Sequence, residues 1–240
     1  MDIRIFDTPN AVAPACADEF TSLLTTKADC VLGLATGASP VPTYTELIKR
    51  HKEGLISFAH ASSFNLDEYV GLPRSDKNSY YTFMHENLFD SVDIDEARVH
   101  ILDGNAADSE KECAEYDAAI AAAGGIDLQL LGIGTNGHIG FNEPSDAFSD
   151  GTFKVKLTDS TVKSNSIYFT DGEMPRYALT MGINSIMKAK KIVLIATGAA
   201  KAEAINQAVN GEITPHCPAS ILQKHPDCIL FLDKAAASLL

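Results

Sequence analysis

Leu130-Leu131-Gly132-Ile133-Gly134-Thr135-Asn136-Gly137-His138-Ile139-Gly140-Phe141-Asn142-Glu143-Pro144 decides how the rest of the chain is read. It opens as an apolar strand continuing Leu128, then breaks into glycines and presents Asn136, His138, Asn142 and Glu143 on one short loop. Open α/β sheets place their chemistry this way, with ligands outside the carboxyl ends of the strands. Gly132, Gly134 and Gly137 formally fit the G-x-G-x-x-G dinucleotide fingerprint. That fingerprint needs a helix opening inside the glycines, and Gly140 and Pro144 make this a poor helix start. A second reading is a surface loop whose polar residues only satisfy their own backbone. The clustering of an imidazole, an amide and a carboxylate at one strand end favours a catalytic loop.

Outward from this loop, strands alternate with helices. Ile3–Phe6, Cys30–Ala35, Ala61–Leu66, Val99–Leu102, Ile126–Gly134, Thr152–Leu157, Lys191–Thr197 and Cys228–Asp233 read as strands. Pro9–Leu24, a segment from Pro40 to about Glu53, Asp76–Phe89, Asp108–Ala123, Pro175–Lys188, Ala200–Val209 and Pro218–Gln223 read as helices, although Thr180–Ile183 also fits an extended segment. The pattern predicts an α/β fold: a single domain over residues 1–240 with a mostly parallel, Rossmann-like sheet covered by helices on both faces.

Composition narrows the function. In 240 residues, 19 basic side chains face 32 acidic ones, a net charge of −13 that argues against broad contact with nucleic acid or an anionic membrane. The five cysteines (Cys16, Cys30, Cys113, Cys217, Cys228) are odd in number and widely spaced, which argues for a reducing compartment and against a disulfide framework or zinc site. No apolar run is long enough to span a membrane, and Met1–Asp7 lacks the pattern of a signal peptide, so a cytoplasmic protein is expected.

Two further segments carry chemistry. Thr36-Gly37-Ala38-Ser39-Pro40 follows a buried strand and precedes a helix; Ser39 suits the N-cap and Pro40 the first helical position. Such a turn can hold an anion on backbone amides and the helix dipole, but it also reads as an ordinary βα connection. Asp67 and Glu68 end the strand after Ala61, so one should face the site and the other solvent. Lys201 opens a helix where it either reaches a substrate anion or is plain surface.

Val31–Pro40 (VLGLATGASP), Phe64–Leu72 (FNLDEYVGL), Leu131–Pro144 (LGIGTNGHIGFNEP) and Pro218–Pro226 (PASILQKHP) together closely resemble glucosamine-6-phosphate deaminases, in the same order and across nearly the whole chain. The resemblance implies amino sugar catabolism: glucosamine 6-phosphate and water yield fructose 6-phosphate and ammonia. It implies that His138 opens the pyranose ring, that Asn136 and Glu143 orient its imidazole, and that Asp67 moves the C2 proton to C1 by way of an enolamine. Thr36, Gly37, Ala38 and Ser39 would cradle the phosphate with help from Lys201, and no metal or organic cofactor is implied.

Two departures from the family pattern stand out. Asn136 is aspartate in long-chain members and asparagine in short ones. Ile167 falls where the family carries a phosphate-gripping arginine, a charge-assisted contact worth roughly 1.5–3 kcal/mol. Either Lys163 compensates, or binding is weak, or the substrate differs. The chain resembles the short form, which implies a monomer without activation by N-acetylglucosamine 6-phosphate. A 6-phosphogluconolactonase shares the fold but needs no enolising base, so Asp67–Tyr69 and the Phe141–Pro144 ending favour the deaminase. A non-catalytic sugar-phosphate sensor would leave Asp67, His138 and Glu143 idle.

Overall fold

The structure is a computed structural model that describes residues 1–166, 169 and 173–240, the side chains of Ser160 and Ser164 excepted. Seven strands form the main sheet: β1 (Asp2–Phe6), β2 (Val31–Leu34), β3 (Ser62–Asn65), β5 (Val99–His100), β6 (Leu128–Leu131), β9 (Lys191–Ala196) and β10 (Cys228–Asp233). Their order is β1-β10-β9-β6-β2-β3-β5, and every pairing is parallel. Every residue of β2, β6 and β10 is buried. Because successive side chains in a strand point to opposite faces, helices must cover both sides, which is the architecture the sequence predicts. After β2 the chain works outward through β3 and β5, then returns to lay β6 on the other side of β2. The crevice at the β2/β6 carboxyl ends is therefore the topological switch point, where a parallel sheet accepts ligands.

The helices are α1 (Pro9–Thr26), α2 (Val41–Lys52), α3 (Tyr80–Asn87), α4 (Ser109–Ala122), α5 (Asp159–Asn165), α6 (Ile183–Met187) and α7 (Ala202–Asn210), with a 3-10 segment over Pro218–Lys224. Helix α1 buries Val12, Cys16, Phe20 and Leu24, and α2 buries Thr43, Tyr44 and Leu47, the spacing of an inward helical face. All five cysteines are free and buried in this core. No helix among the described residues is long and apolar enough to cross a membrane.

A second, smaller sheet was not anticipated. β4 (Asp67–Tyr69), β8 (Tyr177–Thr180) and β7 (Phe153–Lys156) pair antiparallel in the order β4-β8-β7. This corrects the helix expected over Pro175–Lys188: only Ile183–Met187 is helical, and Tyr177–Thr180 is extended. A short apolar run fits either period, and here pairing with Asp67–Tyr69 and Phe153–Lys156 selects the strand. A further correction concerns α2. It begins at Val41 with Pro40 at the cap, while Ser39 stays in the preceding turn and faces a cavity. Gly37, at φ 93°, sets the course of that turn.

Candidate active site

The loop after β6 is built so that one imidazole can lie flat across its own backbone. The Gly134 amide donates to the His138 carbonyl at 2.9 Å, and a Cβ on Gly134 would stand 2.2 Å from His138 Cε1. Gly137 is at φ 82° with Cys217 Sγ only 2.6 Å from where its Cβ would be. Glycine is required at both positions, the first by contact and the second by contact and conformation. Farther along, the Asn142 amide donates to the carbonyls of Ile139 at 3.0 Å and Met181 at 2.8 Å. The Phe141 amide donates to Thr180 Oγ1 at 3.1 Å. The small sheet thus clamps the far end of the loop.

Within it, hydrogen-bond chemistry fixes the histidine tautomer. The Asn136 amide donates from Nδ2 to Glu143 Oε2 at 2.7 Å, which turns Oδ1 toward His138 Nδ1, also at 2.7 Å. A carboxylate only accepts, so the amide cannot be reversed, and His138 must carry its proton on Nδ1. Nε2 is left with a lone pair, the form a general base needs. The second Glu143 oxygen accepts from the hydroxyls of Thr158, at 3.2 Å, and Thr161. Burial alone would raise the Glu143 carboxyl, but its interactions with His138, Thr161 and Asn136 prevail and hold it at about 2. Glu143 is a fixed anion.

Across the crevice, Asp67 is 6% exposed, and burial, the adjacent Glu68 charge and a weaker opposing hydrogen bond from Thr36 leave its carboxyl at about 8. Glu68 does not turn to solvent as the sequence suggested. It is 3% exposed and accepts backbone N–H bonds from Tyr69, Tyr80 and Tyr81 at 2.8, 2.9 and 2.9 Å. The other wall is the turn after β2, pinned by the buried Tyr44 hydroxyl, which donates to the Ala35 carbonyl at 2.6 Å. Lys201 donates from Nζ to the Ile133 carbonyl at 2.7 Å, and burial lowers its pKa; it is a wall of the site and not plain surface.

These elements enclose a cavity of about 360 Å³, the size of a small-molecule site. Asp67, His138, Lys201 and the whole Thr36–Ser39 turn line it. Asn136 and Glu143 do not; they stand behind His138, and Glu143 also borders a separate cavity of about 350 Å³ on its far side. Sequence reasoning missed Tyr80, Phe141, Thr161 and Asn165, which also line the site. The capping pattern at Thr158, whose hydroxyl accepts from the Thr161 amide, was the available signal for the α5 pair. Tyr80 had none, because its place depends on Glu68. Lys163 is exposed on α5 and lines neither cavity. Ile167 lies outside the described residues. Among the described residues, no group of three or more His, Cys, Asp or Glu side chains could hold a metal ion.

Fold and site together define a parallel-sheet α/β enzyme whose crevice sets an oriented imidazole and a buried carboxyl beside a turn suited to anions. The sequence profile of the glucosamine-6-phosphate isomerases/6-phosphogluconolactonase family matches residues 7–230. Curated glucosamine-6-phosphate deaminases of Alkaliphilus oremlandii and Lysinibacillus sphaericus are 54% and 53% identical, over 88% and 95% of both chains. A solved structure described as a monomeric glucosamine-6-phosphate deaminase superposes with a TM-score of 0.97 at 41% identity, with both chains fully covered. The 6-phosphogluconolactonase of Trypanosoma brucei, at 20% identity and a TM-score of 0.80, shares the fold. The chain belongs to the glucosamine-6-phosphate isomerase/6-phosphogluconolactonase family.

Proposed function

We propose that the protein is a glucosamine-6-phosphate deaminase, an enzyme of amino sugar catabolism that works as a monomeric, cytoplasmic single domain spanning residues 1–240. The observation that carries this reading is the pairing of a tautomer-fixed His138 with a buried Asp67 in one cavity. A lactonase needs no base beside C2, whereas an aldose–ketose conversion does. The identity of the curated deaminases supports the same choice.

The substrate phosphate rests on the Thr36–Ser39 turn beside Lys201. His138 Nε2 takes the anomeric hydroxyl proton and returns it to the ring oxygen as the ring opens. Asp67 removes the C2 proton; the C–H electron pair becomes the C1–C2 double bond of an enolamine while the C2 ammonium gives up a proton to the aldehyde oxygen. The same carboxyl then delivers its proton to C1. Water adds to the resulting C2 imine and ammonia leaves, giving fructose 6-phosphate; because water is consumed, the enzyme is formally a hydrolase. An ammonium at C2 also favours the ionised form of Asp67, since an opposite charge lowers a carboxyl pKa.

Ammonia release from glucosamine 6-phosphate, run beside unphosphorylated glucosamine, tests the proposal. Turnover restricted to the phosphorylated sugar is expected. Sugar-phosphate binding without turnover would leave the sensor reading in its place.

A further inference from the structure

Glu68 is a buried carboxyl that the mechanism does not use. It sits in β4 directly after Asp67, and its carboxylate occupies the first turn of α3. Oε1 accepts from the Tyr69 and Tyr80 amides, and Oε2 from the Tyr81 amide. Both oxygens thus face N–H donors; a proton on either would set O–H against N–H, so the ionised form fits this seat. Burial prevails and raises the Glu68 carboxyl overall, against the pull of these three amides and of Arg74, whose guanidinium lies 5.1 Å from the centre of the Tyr81 ring. The same bonds place Tyr80, whose ring lines the cavity and stacks on Phe141 at 6.2 Å.

We propose that Glu68 is a positioning residue for the Asp67 base: an ordered anion, seated on α3, whose charge bears on the neighbouring carboxyl and whose hydrogen bonds hold the strand that presents it. This rests on the role assigned to Asp67 in the proposed deaminase. The other ionisable groups near Asp67 cannot replace that charge. Tyr69 of β4, Tyr44 of α2, Tyr80 of α3 and Tyr116 of α4 are all kept neutral by burial. His138 and Lys201, which line the same cavity, can carry only positive charge and so cannot supply an anion. Glu68 is the anion that, together with burial, keeps Asp67 a strong enough base to take a proton from carbon. A general base is most effective when its pKa lies near the working pH.

The test is the pH profile of kcat and kcat/KM for ammonia release by wild type, Glu68→Gln and Glu68→Asp, with thermal unfolding recorded for each. Activity of the wild type is the control for the deaminase reading itself; without it, that reading fails and the inference is not reached. With it, Glu68→Gln is expected to move the acid limb down by about one pH unit, as removal of a like charge requires. Its plateau kcat should fall several-fold because the base is weaker. A merely structural Glu68 would lower kcat and leave the limb where it was, and that result overturns the inference. If Glu68→Gln does not fold, Glu68→Asp decides. It keeps the charge, so an unmoved limb with kcat within about twofold of wild type supports the inference; a several-fold loss of kcat at an unmoved limb is the structural result and overturns it, as does a limb displaced downward.

Discussion

Asp67 is held in a state that costs stability. Its carboxyl sits at about 8 in the folded chain against an ordinary 3.8. Between these values the unfolded chain has released a proton that the folded chain keeps, so folding stability falls as pH rises from about 4 to about 8. Asp67→Asn should therefore abolish turnover while retaining sugar phosphate, and its Tm should exceed that of the wild type by a few degrees at pH 8, with the gap closing toward pH 4. Calorimetry at the two pH values checks the sign; an equal gap at both would remove the buried charge as its cause. For His138→Gln, reaction of the closed ring should slow more than that of an open-chain substrate, and equal losses would count against a ring-opening base. At this scale the sequence was informative where chemistry and local spacing coincide. Asn136, His138 and Glu143 lie within one loop, and their hydrogen bonds run within it. Glu68 was misread because its partners, the amides at Tyr80 and Tyr81, are brought to it by tertiary structure.

Among the elements, the strand–turn–helix unit of β2 and α2 depends on one buried hydroxyl. Tyr44 reaches back from α2 to both the amide and the carbonyl of Ala35, at 3.2 and 2.6 Å. Tyr44→Phe leaves that carbonyl unpaired in the core and should cost about 1–3 kcal/mol of stability. Denaturant unfolding measures that loss, and a rise in KM for the phosphorylated sugar with little change in kcat is expected beside it. The loop after β6 has a sharper requirement. In Gly134→Ala the new methyl would occupy the place of the imidazole, so activity should fall by about two orders of magnitude or more, as misplacement of a reacting group by an ångström predicts. A wild-type rate in that variant would mean that His138 is not held as described. The buried strands were legible because apolar runs bounded by turn residues are distinctive. The Tyr177–Thr180 strand was not, because nothing local separates a four-residue strand from a helical turn; its identity comes from partners more than twenty residues away in Phe153–Lys156 and over a hundred away in Asp67–Tyr69.

The whole molecule places its chemistry at the switch between β2 and β6 and closes it with the small sheet. A chain of 25.7 kDa with the cavity walled by its own residues should sediment as a monomer and show hyperbolic kinetics, with sigmoidal rate curves as the contrary result. The order of the main sheet has a consequence for how the protein is made. Among the described residues, β1 is an edge strand whose sole partner in the sheet is β10. On the ribosome β1 emerges more than two hundred residues before the strand that completes its hydrogen bonds, so it must wait unpaired while that length of chain is made. Phe6, which stacks on Phe231, lacks that partner throughout the interval. A stalled or truncated product lacking β10 would release not the end of the fold but its beginning, and offer a bare strand and an open sheet edge to chaperones and proteases.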